Sequence, residues 1–498
     1  ITAFSADSLD VRGISNVKDL GQATPGLQFT ELASYSLIYL RGVGTDAFIP
    51  SADPSVATYV DGIYFPSAHS LGQSFGALER IEILKGPQGT LFGRNSTGGA
   101  INVVTREPGP DFETDLQLSY ARFDDFNARA YSNLPLTDTF ASSVSVIYRK
   151  AEPYYRLDNP ANETLLDDMT RGARIKLHWY PTDDVDLTLT GIRTEQNGST
   201  AALSATTHPS LLAIAAGVPA EQREYVTTDD SFPSQRLNTK AYYGIGNWKT
   251  NALDTKLMGS YYEVIADEFQ YDFDGSSQPL VTFVGLPEFQ EIKTAELQFT
   301  SNATSWGAEK FKWVGGFYYL ESEGGYDPAF LQIAGELIDL PTGELVSLIP
   351  QALINLLPFV PAPEGVGLYF RGVLGTESTS AYLQGTYSFT DWLDLTLGGR
   401  YQEEERALLV SNVEIDNLAG EQTVVIPFAP RSSKEYNFSP RVSIDVRAFE
   451  DVLTYISYSK GFKSATYNIV NIYTPPDFVS PEEVSSYELG VKSELFGN

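Results

Sequence analysis

Beyond Pro108, apolar and polar residues alternate with a period of two. Leu116, Leu118 and Tyr120 alternate with Gln117 and Ser119; Val144, Val146 and Tyr148 alternate with Ser143 and Ser145. Leu393, Leu395, Leu397 and Tyr401 alternate with Asp394, Thr396, Gly398 and Arg400. Successive side chains of a strand point to opposite faces, so the pattern predicts antiparallel strands with one greasy face and one polar face. About 14 strands are expected, many ten or more residues long, against a mean of roughly 5–6 in soluble domains.

Alternation by itself does not separate a water-soluble sandwich from a membrane barrel, because each has one apolar face. The connections separate them. Short turns are expected at Leu136-Thr137-Asp138, Pro181-Thr182-Asp183, Thr250-Asn251, Phe389-Thr390-Asp391 and Phe449-Glu450-Asp451, after a first tight turn at Asp124-Asp125. Between them lie long excursions, at 196–234, 322–372, 403–434 and 464–482. Short turns on one rim and long loops on the other characterise an outer-membrane barrel, in which closure satisfies every strand's backbone hydrogen bonds.

The first 108 residues have another texture. Short β-like runs (Ser36–Leu40, Arg80–Leu84) are separated by glycine-rich connections, as in a small mixed α/β globule. Glu107-Pro108-Gly109-Pro110 breaks regular structure and sets the boundary, giving domains 1–108 and 109–498. Charge follows the division. The first segment has 7 Lys and Arg against 10 Asp and Glu, so nearly all of the net −30 falls on the alternating part.

Composition narrows the class further. There are 29 Tyr, 28 Phe and 41 Gly, which suits aromatic girdles and many turns. The apolar run 347–360 is too short for a spanning helix and is broken by Pro350 and Pro358. Cysteine is absent, which excludes disulfides and thiolate metal sites. The acidic balance argues against a nucleic-acid partner. His69, His178 and His208 have no metal-ligand spacing, and no Gly-x-Ser-x-Gly element appears. The chain is therefore not expected to be an enzyme, nor to hold a metal or cofactor. The triplet Glu403-Glu404-Glu405 reads as a solvated loop base. The acidic groups Asp267, Glu268, Asp272, Asp274 and Glu321, Glu323, Asp327 read as a rim that binds divalent cations bridging lipopolysaccharide or simply stays hydrated, with attraction of cationic complexes as the other role.

Four segments in order carry a resemblance: Leu20 with Thr24-Pro25-Gly26; Tyr39-Leu40-Arg41-Gly42; Tyr59-Val60-Asp61-Gly62; and LERIEILKGPQGTLFGRNSTGGAINVVT from Leu78 to Thr105. The last contains Gly86, Pro87, Gly89, Gly93, Gly98 and Gly99, which suit tight turns and close backbone approach. A phosphate cradle is the competing reading, but the Gly-Lys-Ser/Thr ending it needs is missing. Together the four segments resemble the plug domain of TonB-dependent outer-membrane receptors. Phe438-Ser439-Pro440-Arg441, Tyr458 to Lys463 and Tyr487-Glu488-Leu489-Gly490 resemble their barrel.

The resemblance implies an all-β transmembrane barrel of about 22 antiparallel strands when complete, with an N-terminal mixed α/β plug in its lumen, in the outer membrane of a Gram-negative bacterium. It implies energised uptake driven by TonB and its inner-membrane complex. A ferric siderophore is the leading ligand, with oligosaccharides and cobalamin-like cofactors as alternatives and a passive porin as the reading from another class. Lipopolysaccharide and outer-membrane lipid are expected to surround it. Arg41 and Lys85 are implied to face glutamates on the inner wall. Ligand is implied at the plug loops Thr45–Ser55 and Ile63–Ser74, where Phe48, Tyr64, Phe65, His69 and Gln73 offer rings and polar reach; the plainer alternative is that these residues pack the seam between plug and barrel. The apolar stretch Ala329–Gly367 is expected to form a structured lid, and Pro209–Ala216 a short helix. The sequence contains no TonB box, and about eight strands of the family's barrel are unaccounted for, so it is expected to be a piece lacking both ends.

Overall fold

The computed structural model describes residues 2–12, 14, 19–32, 35–46, 50, 52–67, 69, 77–157, 165–199, 226–227, 234–272, 281–285, 287–333, 336–338, 345–347, 365–416, 422–449, 451–469 and 474–493. Sixteen strands of the second part join in one sheet, fourteen of them long and two short. Chain neighbours pair antiparallel, from Glu113–Ala121 at one edge to Glu482–Ser493 at the other. The short strands Val281–Gly285 and Gln422–Ile426 extend the sheet on its long-loop side.

The two faces of this wall are inverted relative to a soluble protein. Leu116, Leu118, Ile175, Leu177, Leu383, Leu397 and Phe438 are exposed on the outer face. Arg174, Lys176, Thr188, Thr190, Thr376, Ser378, Arg400, Gln402, Glu404, Asn437 and Ser439 are buried on the inner one. Greasy side chains outward and polar ones inward are favourable only where the outer solvent is hydrocarbon. Five short connections fall where the sequence placed them, at Thr137–Phe140, Thr182–Val185, Lys249–Asp254, Thr390–Leu393 and Phe449–Val452. A sixth, between Thr300 and Phe311, was not anticipated; Asn302, Thr304 and Ser305 hydrogen-bond one another there. All five tryptophans (179, 248, 306, 313 and 392) lie in or beside these turns, as an interfacial aromatic girdle requires.

On the opposite rim the expected loops are largely strand. Phe311–Ile333, Val366–Thr390 and Leu393–Asp416 have 23, 25 and 24 residues, more than twice the ~9–11 that cross a bilayer. Much of the excursions drawn at 322–372 and 403–434 is thus hydrogen-bonded ladder projecting beyond the membrane. Glu403-Glu404-Glu405 is not a solvated loop base: it lies inside a strand, with Glu404 buried and its two neighbours on the outer face. A run of three carboxylates hides the alternation from a hydropathy reading, while the pleat still separates them. Glu321 and Glu323 are likewise strand residues. Of the expected lid, 329–333 and 366–367 belong to wall strands, Gly365 directly precedes the second of these, and Glu336–Ile338 pairs with Leu345–Ser347; its other residues, like 209–216, lie outside the described residues.

The first part folds inside this wall. Its main sheet runs Thr2–Ser5, Leu78–Lys85, Gly99–Thr105, Val56–Val60, Ile63–Tyr64, with Val56–Val60 parallel to Gly99–Thr105 and the other pairs antiparallel. A second sheet joins Leu27–Leu32, Tyr35–Leu40 and Val43–Gly44, and helices span Ala6–Val11 and Leu20–Ala23. Its core of Leu40, Val56, Val60, Ile81, Ile83, Ile101 and Val103 is continuous with inward-facing Leu237, Tyr243, Met258, Tyr262, Ile292 and Leu320. The globule and the wall share one hydrophobic core, which seats the globule in the lumen.

Candidate functional site: the seam between plug and wall

The seam is held chiefly by buried polar groups. Arg94 follows the turn at Leu91-Phe92-Gly93 in the plug and donates to Asp53, in the loop before Val56–Val60, at 2.7 Å. Arg94 also lies 3.3 Å from Glu404 on the wall. Arg406, two residues along the same strand and so on the same face, pairs with Asp53 and lies 3.3 Å from Glu404. Gln402 donates to Glu404 at 3.1 Å. Two guanidiniums and two carboxylates thus form a closed, charge-neutral group in which Arg94, Arg406 and Glu404 are at most 6% exposed. Burial pushes the Asp53 carboxyl up, but Arg406 and Arg94 outweigh it and hold the pKa at about 2. Asp53 is anionic at any physiological pH.

A second anchor forms at Asp61. The turn Asp61-Gly62 requires left-handed backbone at both positions, φ 53° and 85°, which Asp and Gly tolerate best. That turn aims the Asp61 carboxylate at Lys176 of the wall, 2.9 Å away. Tyr243 donates to it at 2.8 Å, and the Thr105 amide and hydroxyl each donate at 2.7 Å. Desolvation opposes ionisation, but Lys176 and the Thr105 donors keep the Asp61 pKa below the ordinary carboxylate value.

Close approach makes these anchors possible. A Cβ on Gly89 would stand 2.7 Å from the Lys460 carbonyl and from Ser439 Oγ, and one on Gly93 2.7 Å from the Arg400 guanidinium. Thr90 donates to the Ser439 carbonyl at 2.9 Å, Arg400 to the Leu91 carbonyl at 3.3 Å, and the Asn95 amide to the Phe462 carbonyl at 2.9 Å. Pro87 packs near Gly461, and Gly86 closes a turn by donating to the Gly98 carbonyl. Gly98 in turn lies against Val43, while Gly99 opens its strand where any Cβ would collide with the Leu84 carbonyl. Pro25 and Gly26 turn the chain beside Arg41, whose amide donates to the Gly26 carbonyl at 2.7 Å; Gly42 completes the turn after it.

The two cations expected at the wall part company. Arg41 lies 3.3 Å from Glu488, both half-exposed. Lys85 instead donates to the Pro25 carbonyl at 3.0 Å, within the plug. Its position at the end of Leu78–Lys85 points it at the neighbouring plug turn rather than at a glutamate. Of the five expected ligand residues, Phe48 and Gln73 lie outside the described residues. The other three are buried in the seam. Asn95 donates to the Tyr64 hydroxyl at 3.1 Å, and Phe65 packs edge-on to Tyr262 of the wall at 4.9 Å. His69 lies 3.1 Å from Glu288 of the wall and 4.1 Å, ring to ring, from Tyr35, which also donates to Glu288. Of the other histidines, His178 meets the Pro108 carbonyl at 2.8 Å and His208 lies outside the described residues.

Arg94, Asp53, Glu404 and Arg406 were not singled out by sequence reasoning. Arg94 stood inside the plug motif, and the spacing Glu404-x-Arg406 on a polar face was the one available signal.

A lipid-facing wall enclosing a plug bound by buried ion pairs defines the class: a plugged outer-membrane barrel. Residues 80–498 match the family described as "TonB dependent receptor-like, beta-barrel", and residues 1–100 match "TonB-dependent Receptor Plug Domain". The chain belongs to the TonB-dependent receptor family, a family of transport receptors in the outer membranes of Gram-negative bacteria. It is 23% identical to the pesticin receptor of Yersinia pestis over 505 residues, 99% of this chain and 65% of that protein. It is 21% identical to the ferric-pyoverdine 358 receptor of Pseudomonas putida, over 99% of this chain and 56% of that one. The chain therefore spans just under two thirds, or less, of the length of these relatives. Among solved structures, the ferric yersiniabactin uptake receptor FyuA from Yersinia pestis superposes with TM-score 0.78 at 20% identity, covering 99% of this chain and 70% of that one. The siderophore receptor PiuA from Acinetobacter baumannii superposes with TM-score 0.72 at 15% identity, covering all of this chain and 70% of that one.

Proposed function

We propose that this chain belongs to a transporter that takes up a ferric siderophore across the outer membrane, powered by TonB. The observation that carries the reading is the seated plug. A lumen filled by a globule that shares the wall's core and its buried ion pairs does not pass solutes by diffusion. Something must pull the plug or rearrange it, and no nucleotide is at hand in the periplasm. In this reading residues 1–108 are the plug and 109–498 the barrel wall.

The ligand class is supported by the relatives named as receptors for pesticin and ferric pyoverdine. Tyr64, Phe65 and His69 then serve first as seam residues, and Phe48 and Gln73 remain the proposed contacts with ligand from the outward plug loops. Arg41, through Glu488, is proposed to hold the plug beside the last described strand. The test is growth and uptake of radiolabelled iron chelate by an iron-starved deletion strain, with and without functional TonB. Loss of uptake in both the receptor deletion and the TonB-deficient strain is expected. Uptake that persists without TonB rejects energised transport, and unimpaired iron acquisition in the deletion strain rejects the siderophore.

A further inference from the structure

Four oxygen and nitrogen donors meet in the seam near its long-loop end, apart from the two anchors described above. Glu288 opens the wall strand Glu288–Thr300. Tyr326 stands directly opposite it on Phe311–Ile333, so both side chains share the inner face. The plug supplies the other two. Tyr35 opens the strand Tyr35–Leu40, and His69 follows the short strand Ile63–Tyr64. Their rings lie 4.1 Å apart, which brings both polar tips to one carboxylate. Tyr35 donates to Glu288 Oε2, His69 Nε2 lies 3.1 Å from Glu288 Oε1, and the Tyr35 and Tyr326 hydroxyls are 3.4 Å apart. All four side chains are at most 7% exposed.

Hydrogen bonding alone would explain any one of these contacts, but the set has the composition and spacing of a cation site. Phenolate and carboxylate oxygens with an imidazole nitrogen are the donors that a small, hard, highly charged metal ion selects. With bonds of about 2 Å, adjacent donors of an octahedral ion stand roughly 3 Å apart. The separations of 3.1 and 3.4 Å are close to that edge. Charge then chooses the ion. One carboxylate and two phenolates contribute three negative charges, and a ligating imidazole is neutral. A trivalent cation makes this enclosed group neutral, as burial demands. A divalent cation reaches neutrality only with one phenol still protonated, and so with one ligand unused.

We propose that Tyr35, His69, Glu288 and Tyr326 form a ferric-ion site bridging plug and wall, with two ligands from each. Iron handed over by a chelate exchanges its bonds to the chelate for bonds to these four side chains. The two phenolic protons leave to solvent, and the iron stays trivalent throughout. With the ion in place, Tyr35–Leu40 and His69 are tied to the wall at its outer end. Histidine spacing hid the site in the sequence, because half of its ligands are tyrosines and the set is scattered from residue 35 to residue 326. The site is independent of the uptake reading. Iron can bind here whatever ligand is transported, and uptake can proceed without it.

The test takes the intact receptor in mild detergent, strips it with a strong chelator and titrates it with ferric nitrilotriacetate. About one iron per chain should survive desalting, with a visible phenolate-to-iron charge-transfer band. The chain has no cysteine, so no thiolate can imitate that band. Tyr35→Phe and Tyr326→Phe should each weaken the band and lower iron affinity by about tenfold or more, as losing even an outer-shell partner does. Tyr382→Phe, which breaks a tyrosine–carboxylate bond to Glu296 elsewhere on the wall, should leave the band unchanged. Folding of each variant is read from resistance of the unheated barrel to SDS. A wild-type chain without the band overturns the proposal whether or not the variants fold. A full band in folded Tyr35→Phe and Tyr326→Phe chains, or its loss in folded Tyr382→Phe, overturns it equally. Displacement of the iron by equimolar zinc overturns the choice of a trivalent ion.

Discussion

At Asp53, burial and charge pull in opposite directions, and charge prevails because two guanidiniums face one carboxylate. Removing one member of a buried group leaves its partner desolvated and uncompensated, at a cost of about 3–5 kcal/mol. Arg406→Ala should therefore loosen the plug by that order, seen as faster hydrogen exchange at Val56–Val60 and Gly99–Thr105 with the wall strands unaffected. Arg406→Lys should rescue only in part, since a point charge does not span Asp53 and Glu404 as the planar fork does. The pH dependence follows from the direction of the shift. The folded pKa of about 2 lies below the ~3.9 of a free Asp. The stabilisation is therefore complete above pH ~4 and is lost as pH falls through the folded value. It is worth roughly 2.6 kcal/mol at ~1.4 kcal/mol per unit. Thermal unfolding followed from pH 6 to pH 2 should show that loss, and Asp53→Asn should flatten this part of the curve. None of the four residues was legible as a group in the sequence, because Asp53 and Arg94 are 41 positions apart and a further 300 or so separate them from the wall.

Individual strands were the most legible part. Period-two alternation located the wall strands and their short turns, because one-sided burial imposes it on every strand alike. Their upper ends were not legible. Beyond the bilayer both faces meet water or protein, and the outward face no longer has to be apolar. That is why Glu403-Glu404-Glu405 looked like loop and is strand. The assignment of faces makes a sharp prediction at Leu397, which is 53% exposed outward. Leu397→Arg should destabilise the barrel by about 2–4 kcal/mol if that face meets the bilayer midplane, measured by urea unfolding in lipid vesicles. A soluble sandwich would tolerate an exposed arginine there. In the plug, Gly89→Ala should cost about 1–3 kcal/mol by overpacking the seam, because the Lys460 carbonyl and Ser439 leave no room for a methyl group. Hydrogen exchange of the plug strands should register it, as for Arg406→Ala.

For the molecule as a whole, the decisive contact is between two parts of different design. The plug is a mixed sheet with an apolar core, and the wall is a sheet turned inside out. They meet where the plug's apolar face finds Tyr262, Ile292 and Leu320 and its charges find Lys176, Glu404 and Arg406. Removing residues 1–108 from the intact receptor should turn a closed barrel into an open one. Large, TonB-independent conductance is expected in planar bilayers, against near silence with the plug in place. Comparable conductance in both would favour the passive porin over the plugged transporter.

The sequence alone determined the lipid-facing class of the wall and the motif turns. Each follows from local rules: side-chain period, turn chemistry and the backbone freedom of glycine. Which ions meet across the seam, that Lys85 turns inward to Pro25, and that Tyr64, Phe65 and His69 are enclosed by the wall were decided only by the tertiary structure. Such contacts join residues hundreds of positions apart, and their geometry exists only after the sheet has curved around the plug.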